Sequence, residues 1–161
     1  MTVLDPSGVD RSREIPPIAG TAADQTELDT ALRALRPKLR SGKFVFSTLS
    51  SNQISVLAQA EATVAEDEGM SAVLAKEVAD TAGLGYDWVA AWITLRGVTP
   101  HQAPGVGAHV ARTIGERGIP CHIMAGRNHD HVLVPWELRE TVVAAVMEIA
   151  EAADHRLLSA A

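Results

Sequence analysis

Cysteine and aromatic residues are scarce in this sequence. The one cysteine, Cys121, cannot form an internal disulfide, which is typical of proteins that fold in a reducing compartment. Aromatic residues make up only 4% of the chain and hydrophobic residues 47%, so valine, leucine, isoleucine and alanine must build most of the core. A chain of 161 residues buries roughly 70% of the surface that it exposes when unfolded. We therefore expect one globular core or two small fused ones.

Long apolar runs and an excess of basic residues are also absent. No apolar stretch reaches the roughly 18 residues needed to span a membrane, and residues 1–6 lack the basic and apolar regions of a secretory signal. The formal net charge of −6 at pH 7 argues against the basic surface that nucleic-acid binding requires. We therefore expect a cytoplasmic protein that binds neither membranes nor nucleic acids.

Periodic structure begins only after residue 24. Prolines and glycines without hydrophobic periodicity predict a flexible tail over residues 1–24. Leu28 and Leu32 then recur at helical spacing, and Asp24 or Thr26 is expected to cap this helix at its N-terminus. The sequence thus predicts that the folded part of the chain starts with a helix.

The rest of the first half alternates β-forming segments with polar turns. The pattern predicts strands over residues 44–49, 60–64 and 70–75, followed by a short helix that ends near Gly83. The acidic turn at residues 66–69 lacks the ligand spacing of a calcium-binding loop. We therefore expect this turn to be a solvated connection between two strands.

The second half has clearer patterning. Apolar residues on both faces predict a buried strand over residues 89–95, and an apolar stripe predicts a helix over 104–117. Two apolar segments around a break at residues 126–128 predict a β-hairpin within 119–135. A second stripe predicts a final helix over 136–153. This order of elements is typical of a small α+β sandwich.

Several short segments can be compared with known families: Phe44-Val45-Phe46-Ser47-Thr48, Glu66 to Met70, Ile93-Thr94-Leu95, Gln102 to Val106, Gly118-Ile119, Ile123 to Gly126, His129-Asp130-His131 and Val132 to Pro135. Together they resemble a family of bacterial ACT-domain proteins, over about residues 26–150. The sequence departs from the family pattern at Gln102, where the family usually has glutamate, and at Pro104, where it has an aliphatic residue. It also has Arg127-Asn128 where two aromatic residues are common.

The resemblance implies an α+β fold of two fused ferredoxin-like ACT modules, each a βαββαβ-type antiparallel sheet with helices on one face. We accordingly expect a first module over residues 25–85 and a second over 86–155. The family is related to the ACT pairs of the cytosolic arginine sensor in the mTOR pathway and to aspartokinase regulatory domains. ACT modules bind small ligands, mostly amino acids, where modules meet, and they commonly pair. The resemblance therefore implies a non-enzymatic regulatory or sensor protein, with an amino acid at the module junction and assembly into a homo-oligomer.

The loop before the predicted helix over 104–117 is the expected ligand site. A strand-to-helix loop with Gly105 presents backbone N–H groups at a helix N-terminus, and such groups attract carboxylates. In ACT modules the equivalent loop holds the α-carboxylate or α-amine of an amino acid. The alternative is an ordinary helix start in which Pro104 and Gly105 serve only turn geometry. The expected contacts are Gln102, Pro104, Gly105 and Val106, with Ala125, Gly126 and His129 on the opposing hairpin.

The segment His129-Asp130-His131 supports a second hypothesis, a metal-binding protein or metal-dependent enzyme that uses His129 and His131. Residues two apart on a strand share a face, so both imidazoles could point the same way. A transition-metal site needs further convergent ligands, and Asp130 is expected to face the opposite side. We therefore favour the interpretation that these residues fix the hairpin through hydrogen bonds.

Catalytic and cofactor-binding patterns are absent from the sequence. Cys121 lies in a predicted buried strand, where a thiol behaves as a small apolar group. No Gly-x-Ser-x-Gly elbow and no full Gly-x-Gly-x-x-Gly fingerprint occurs. We therefore expect neither an enzyme nor a cofactor. A third hypothesis is a purely structural dimerisation module with an empty junction.

Overall fold

The computed structural model of the chain describes residues 22–98 and 105–160. Within them, helices and strands alternate as the sequence predicts for an α+β protein, and one single-turn 3₁₀ helix, Trp136–Leu138, precedes the last α-helix. In chain order the elements are α1 (Ala22–Arg33), β1 (Arg36–Leu39), β2 (Phe44–Leu49), α2 (Ile54–Leu57), β3 (Ala62–Glu66), β4 (Gly69–Ala75), α3 (Lys76–Thr81), β5 (Val89–Arg96), α4 (Val106–Glu116), β6 (His122–Ala125), β7 (Asp130–Pro135) and α5 (Arg139–Ser159).

The described strands form one antiparallel sheet in the order β3-β4-β2-β5-β7-β6. Both β1 and β2 pair with β5. Strand β2 pairs with the beginning of β5, at Val89 and Ala90, and β1 pairs with its end, from Ile93 to Arg96. Strand β7 pairs with the whole central stretch of β5. The predicted α+β class with antiparallel ferredoxin-like sheets is confirmed.

The sheet contains an internal structural repeat. The first repeat runs from β2 to α3 and the second from β5 to α5, each in the order strand, helix, strand, strand, helix. Their pairing registers coincide: Leu49 pairs with Met70 in the first repeat, and Leu95 pairs with Asp130 in the second. Further equivalent positions, first repeat before second, are Phe44 and Ala90, Phe46 and Trp92, Ala62 and His122, Val64 and Met124, and Ser71 and His131.

The N-terminal elements α1 and β1 pack with the second repeat. Strand β1 pairs with β5, and Leu32 and Leu35 are buried in the core beneath α5. The Arg156 guanidinium of α5 donates to both carboxylate oxygens of Asp29 on α1, at distances of 2.6 to 3.1 Å. In space, residues 22–39 therefore accompany the second repeat, while the module boundary near residue 85 stays a prediction.

The start of α1 differs from the expectation. The predicted tail lies outside the described residues except for residues 22–24, which belong to α1. The expected N-cap at Asp24 or Thr26 is wrong, because the helix already begins at Ala22. Alanine has the highest helix propensity of all residues, so Ala22 and Ala23 extend the helix backwards from its apolar stripe.

The sheet curls so that distant strands meet. The rings of Phe46 on β2 and His122 on β6 lie 4.7 Å apart, although β5 and β7 separate these strands in the sheet. Neighbouring strands are about 4.8 Å apart, so three steps across a flat sheet would place these residues far beyond contact. The concave face therefore closes on its own small core, which includes Phe44, Trp92 and Leu133.

The other face of the sheet carries the helices. The predicted stripe of α4, Val106, Val110 and Ile114, is buried against it, as are Val142 and Val146 of α5. A separate cluster beneath α2 and α3 completes the first repeat. No helix in the described part of the chain has both the length and the apolar character needed to cross a membrane.

Candidate functional site

Two glycines shape the connection from β5 to α4. Gly97 follows β5 with φ +91°, and a Cβ there would lie 1.9 Å from the carbonyl oxygen of Ala34. Gly105 is the N-cap of α4, with φ +92° and ψ −14°. Both conformations are left-handed, which glycine adopts without the steric cost that a side chain brings. The chain can therefore pass close to the turn that follows α1 and begin α4 at Gly105, where the first N–H groups of a helix have no partner within the helix.

The first turn of α4 lies against the carboxylate of Asp130. A Cβ added at Gly107 would come within 3.1 Å of Oδ2 of Asp130 and 3.9 Å of Ile123. Glycine at position 107 therefore lets β7 present a carboxylate directly beside the start of the helix. Asp130 is the first residue of β7 and is paired with Ala125 on β6 and Leu95 on β5.

The Asp130 carboxylate is poorly satisfied in this position. Its Oδ1 is buried and has no hydrogen-bond partner among the described residues. Burial raises the pKa of Asp130, and the nearby His131 opposes this shift only in part. A buried acceptor without a donor lowers the stability of the fold by about 1–3 kcal/mol. A hydrogen-bond donor or a positively charged group at Oδ1 would remove this cost.

The position in the first repeat that corresponds to Asp130 holds an apolar residue. Met70 stands at the register position of Asp130, opposite Leu49, and it packs on the core of the first repeat. An apolar side chain therefore meets the packing needs of this fold at this point. The carboxylate of Asp130 is not required by the architecture, which favours a role in binding.

The turn of the β6–β7 hairpin is built tightly around Gly126. The N–H of Gly126 donates to the carbonyl of His129 at 3.0 Å, and a Cβ at Gly126 would lie 2.7 Å from that carbonyl oxygen. The turn therefore excludes a side chain at this position. His129 is half-buried, and its Nδ1 has no partner among the residues that the structure describes.

His131 belongs to the other face of the sheet. Its Nδ1 is 3.2 Å from Thr94 Oγ1, and its ring meets Trp92 edge-on at 5.4 Å. Burial, followed by the nearby His129 and Arg40, lowers the pKa of His131 and favours the neutral ring. The hydrogen bond to Thr94 fits the interpretation that this histidine fixes the hairpin.

The metal hypothesis gains no support from this geometry. His131 and Asp130 are consecutive strand residues and so project to opposite faces. Over residues 22–98 and 105–160, no group of three or more His, Cys, Asp or Glu side chains is arranged to hold a metal ion. Cys121 is half-buried, and burial raises the pKa of its thiol, which disfavours the nucleophilic thiolate.

The predicted contact residues fall into three groups. Gly105 and Val106 open α4, with Val106 buried, whereas Ala125, Gly126 and His129 form the end of β6 and the hairpin turn. Gln102 and Pro104 lie outside the described residues.

Asp130 links the first two groups, and the sequence predicted for it a role in fixing the hairpin or in binding a metal, but no contact with an amino acid. The available signal was a carboxylate at the first position of the mostly apolar strand β7, whereas its approach to the start of α4 had no signal in the sequence.

Comparisons with known proteins agree with this architecture. The model of the ACT domain matches residues 24–91. A protein of unknown function from Vibrio cholerae, described as a possible transport protein, is 33% identical over 77% of this chain and 96% of its own, with a TM-score of 0.70. A comparison with curated proteins gives no match.

Two more distant structures share the fold. The ligand-free regulatory subunit of aspartate kinase from Thermus thermophilus is 16% identical over 72% of this chain and 97% of its own, with a TM-score of 0.57. An Agrobacterium tumefaciens protein is also 16% identical over 72% of this chain and 89% of its own, with a TM-score of 0.60. With the match to the ACT-domain model and the Vibrio relative, these findings show that the chain belongs to the ACT-domain family.

Proposed function

We propose that this protein is a non-enzymatic regulatory module that binds an amino acid between the start of α4 and the β6–β7 hairpin. The observation that carries the proposal is the carboxylate of Asp130, whose buried Oδ1 lacks a partner among the described residues while Oδ2 lies beside Gly107. An α-ammonium group would supply the missing donor together with a compensating positive charge, provided that α4 and the hairpin part enough to expose the buried Oδ1. The α-carboxylate would accept from the first-turn N–H groups of α4, near Gly105 and Val106.

A zwitterion suits this corner better than a simple anion or cation. The helix N-terminus attracts negative charge and Asp130 attracts positive charge, so a ligand with both groups on one carbon satisfies both. Ala125, Gly126 and His129 would border it from the hairpin, with Gln102 and Pro104 on the loop before α4. Single amino acids are small, and dissociation constants from about micromolar to millimolar are expected.

The regulatory part of the proposal rests on the fold. One of the structures with this fold is the regulatory subunit of an aspartate kinase. A ligand that contacts α4 and the hairpin more favourably in one arrangement of the modules would shift the population towards it, and a partner could read the difference. Assembly as a homo-oligomer is part of the proposal, because β3 and β6 end the described sheet with unpaired edges.

Thermal melting against the twenty amino acids tests the proposal directly. We expect one or a few of them to stabilise the protein, by about 2.7 kcal/mol at a hundred times the dissociation constant. Asp130→Asn should remove this response, whereas Asp67→Asn, an exposed acid on the β3–β4 turn, should leave it unchanged. Absence of a response to every amino acid, or a full response in Asp130→Asn, would overturn the proposal.

A further inference from the structure

A groove opens on the concave face of the sheet, where the first repeat meets β6. It has a volume of about 550 Å³ and lies between β3 and β4 on one side and residues 121–124 on the other. Small-molecule sites typically measure about 300–1,000 Å³, so the groove has the size of a ligand site. Asp130 does not line it.

Three rings from three parts of the chain form one wall of this groove. Phe46 lies 4.7 Å from the ring of His122 and 6.0 Å from that of Trp88, and Trp88 and His122 are stacked at 5.5 Å with an interplanar angle of 19°. Such mutual packing holds the rings in place. Aromatic faces carry partial negative charge and attract cations.

A carboxylate faces the same groove. Ser71 on β4 donates its hydroxyl hydrogen to Glu66 on β3, and both residues line the groove. This hydrogen bond ties the carboxylate of the exposed Glu66 to the neighbouring strand at the rim of the groove. No lysine or arginine is among the described residues that line the groove, so Glu66 and the rings act together without an internal cation.

In the second repeat, the ring that corresponds to Phe46 is covered by a cation from the same chain. Trp92 stands at the register position of Phe46, and the guanidinium of Arg40 lies over it, 4.5 Å from the ring centroid. Among the described residues, Phe46 and Trp88 have no such cation. The chain thus supplies a cation to Trp92 in the second repeat and, among the described residues, none to its counterpart Phe46 in the first.

We propose that this groove binds a small organic cation with an alkylated ammonium head, held by the aromatic wall and the Glu66 carboxylate. The apolar residues Val64, Val73 and Met124 line the rest of the groove and suit methyl groups better than a fully hydrated ammonium ion. The site is distinct from the corner at Asp130 and does not depend on amino-acid binding there.

Isothermal titration calorimetry with choline and with 3,3-dimethylbutan-1-ol, its uncharged analogue of nearly the same shape, tests the proposal on the full chain. We expect binding of choline and at least about tenfold weaker binding of the alcohol, because the ring faces and Glu66 respond to charge. Equal affinity for both compounds would show that the groove binds apolar groups without regard to charge, which would overturn the proposal. Absence of choline binding would overturn it as well.

Variants locate the binding. Glu66→Gln and Trp88→Leu should each weaken choline binding by about fivefold or more, whereas Glu68→Gln on the same turn should not. Trp88→Phe keeps a ring and should retain most of the affinity, and Glu66→Gln still tests for the loss of binding if the leucine variant does not fold. Asp130→Asn should bind choline with the affinity of the parent protein. Loss of choline binding and loss of the amino-acid response can therefore be told apart. Unchanged choline affinity in Glu66→Gln, or in a folded Trp88→Leu protein, would contradict the assignment.

Discussion

Asp130 and Met70 occupy the same register position in the two repeats, Asp130 opposite Leu95 and Met70 opposite Leu49. The apolar residue packs on a core, and the acidic one has a buried oxygen without a partner among the described residues. This difference between structurally equivalent positions distinguishes what the fold requires from what a ligand requires. Functional residues commonly cost stability, and Asp130 fits that pattern.

Replacing Asp130 by methionine should therefore stabilise the protein. Asp130→Met gives the second repeat the residue that the first repeat has at this position, and it removes a desolvated carboxylate. We therefore expect the free energy of unfolding to rise by about 1 kcal/mol. The same variant should lose its response to amino acids. Urea unfolding monitored by circular dichroism measures the first effect, and ligand-dependent melting measures the second.

Met70→Asp is the matched reverse change. It places a carboxylate where the first repeat has no helix of comparable length, since α2 spans only Ile54–Leu57. We expect it to lower the free energy of unfolding by about 1–2 kcal/mol and to create no amino-acid response. A destabilised Asp130→Met protein would instead indicate that the Asp130 carboxylate holds the structure together.

The ionisation of Asp130 should leave a signature in the pH dependence of stability. Burial raises the pKa of Asp130 above its ordinary value of 3.8, so the folded protein binds the proton more tightly than the unfolded chain. The stability gained from this proton is fully present below pH 3.8 and is lost as pH rises through the folded pKa. We expect Asp130→Asn to gain stability relative to the parent protein over this rise, in paired urea titrations from about pH 4 to 7. A difference that stays constant with pH would contradict the raised pKa.

Local periodicity made the helices and the hairpin of the second half predictable. The stripe of α4 and the break at residues 126–128 are local patterns, and the structure confirms both. Strand β1 was not predicted because it has four residues and contains Pro37. A proline is tolerated in such a strand only at an edge, and the position of an edge follows from the tertiary pairing with β5.

The candidate site could be predicted only in part, for a similar reason. The sequence identified the glycine-rich start of α4 and the hairpin, which are local features. The approach of Gly107 to Asp130 depends on how α4 packs across β7, and no local spacing encodes it. The internal repeat was expected only from the family resemblance, because equivalent positions such as Met70 and Asp130 differ in chemistry while sharing a register.

The ion pair between α1 and α5 should respond unequally to the loss of either partner. Asp29 is only 5% exposed and accepts from Arg156, whose guanidinium lowers the pKa of Asp29, while the Arg156 side chain is 46% exposed. Arg156→Ala leaves a buried carboxylate with Gln25 as its remaining donor and should cost about 2 kcal/mol. Asp29→Ala leaves a solvated guanidinium and should cost about 1 kcal/mol.

Acid titration separates this pair from the effect of Asp130. A lowered pKa means that the pair stabilises the fold above the ordinary aspartate value of 3.8 and that this stability is lost as pH falls through the folded pKa. The parent protein should therefore lose its advantage over Arg156→Ala in strong acid. Equal costs for the two alanine variants at neutral pH would show that the burial of Asp29 does not matter.

Gly97 and Gly42 have nearly the same backbone conformation but different surroundings, and alanine substitutions should separate the two effects. Their φ angles are +91° and +89°. A Cβ at position 97 would lie 1.9 Å from the Ala34 carbonyl oxygen, whereas a Cβ at position 42 meets nothing within 4 Å. Gly42→Ala should lower the free energy of unfolding by about 1 kcal/mol, through the strained left-handed conformation alone. Gly97→Ala should lower it by more than about 3 kcal/mol, because the turn between α1 and β1 and the end of β5 must also move apart. Urea unfolding of both variants gives the comparison, and similar losses of stability would mean that the contact with Ala34 does not constrain Gly97. Since Gly97 lies between β5 and α4 in the chain, a weakened amino-acid response in a folded Gly97→Ala protein would link the contact with Ala34 to the proposed site.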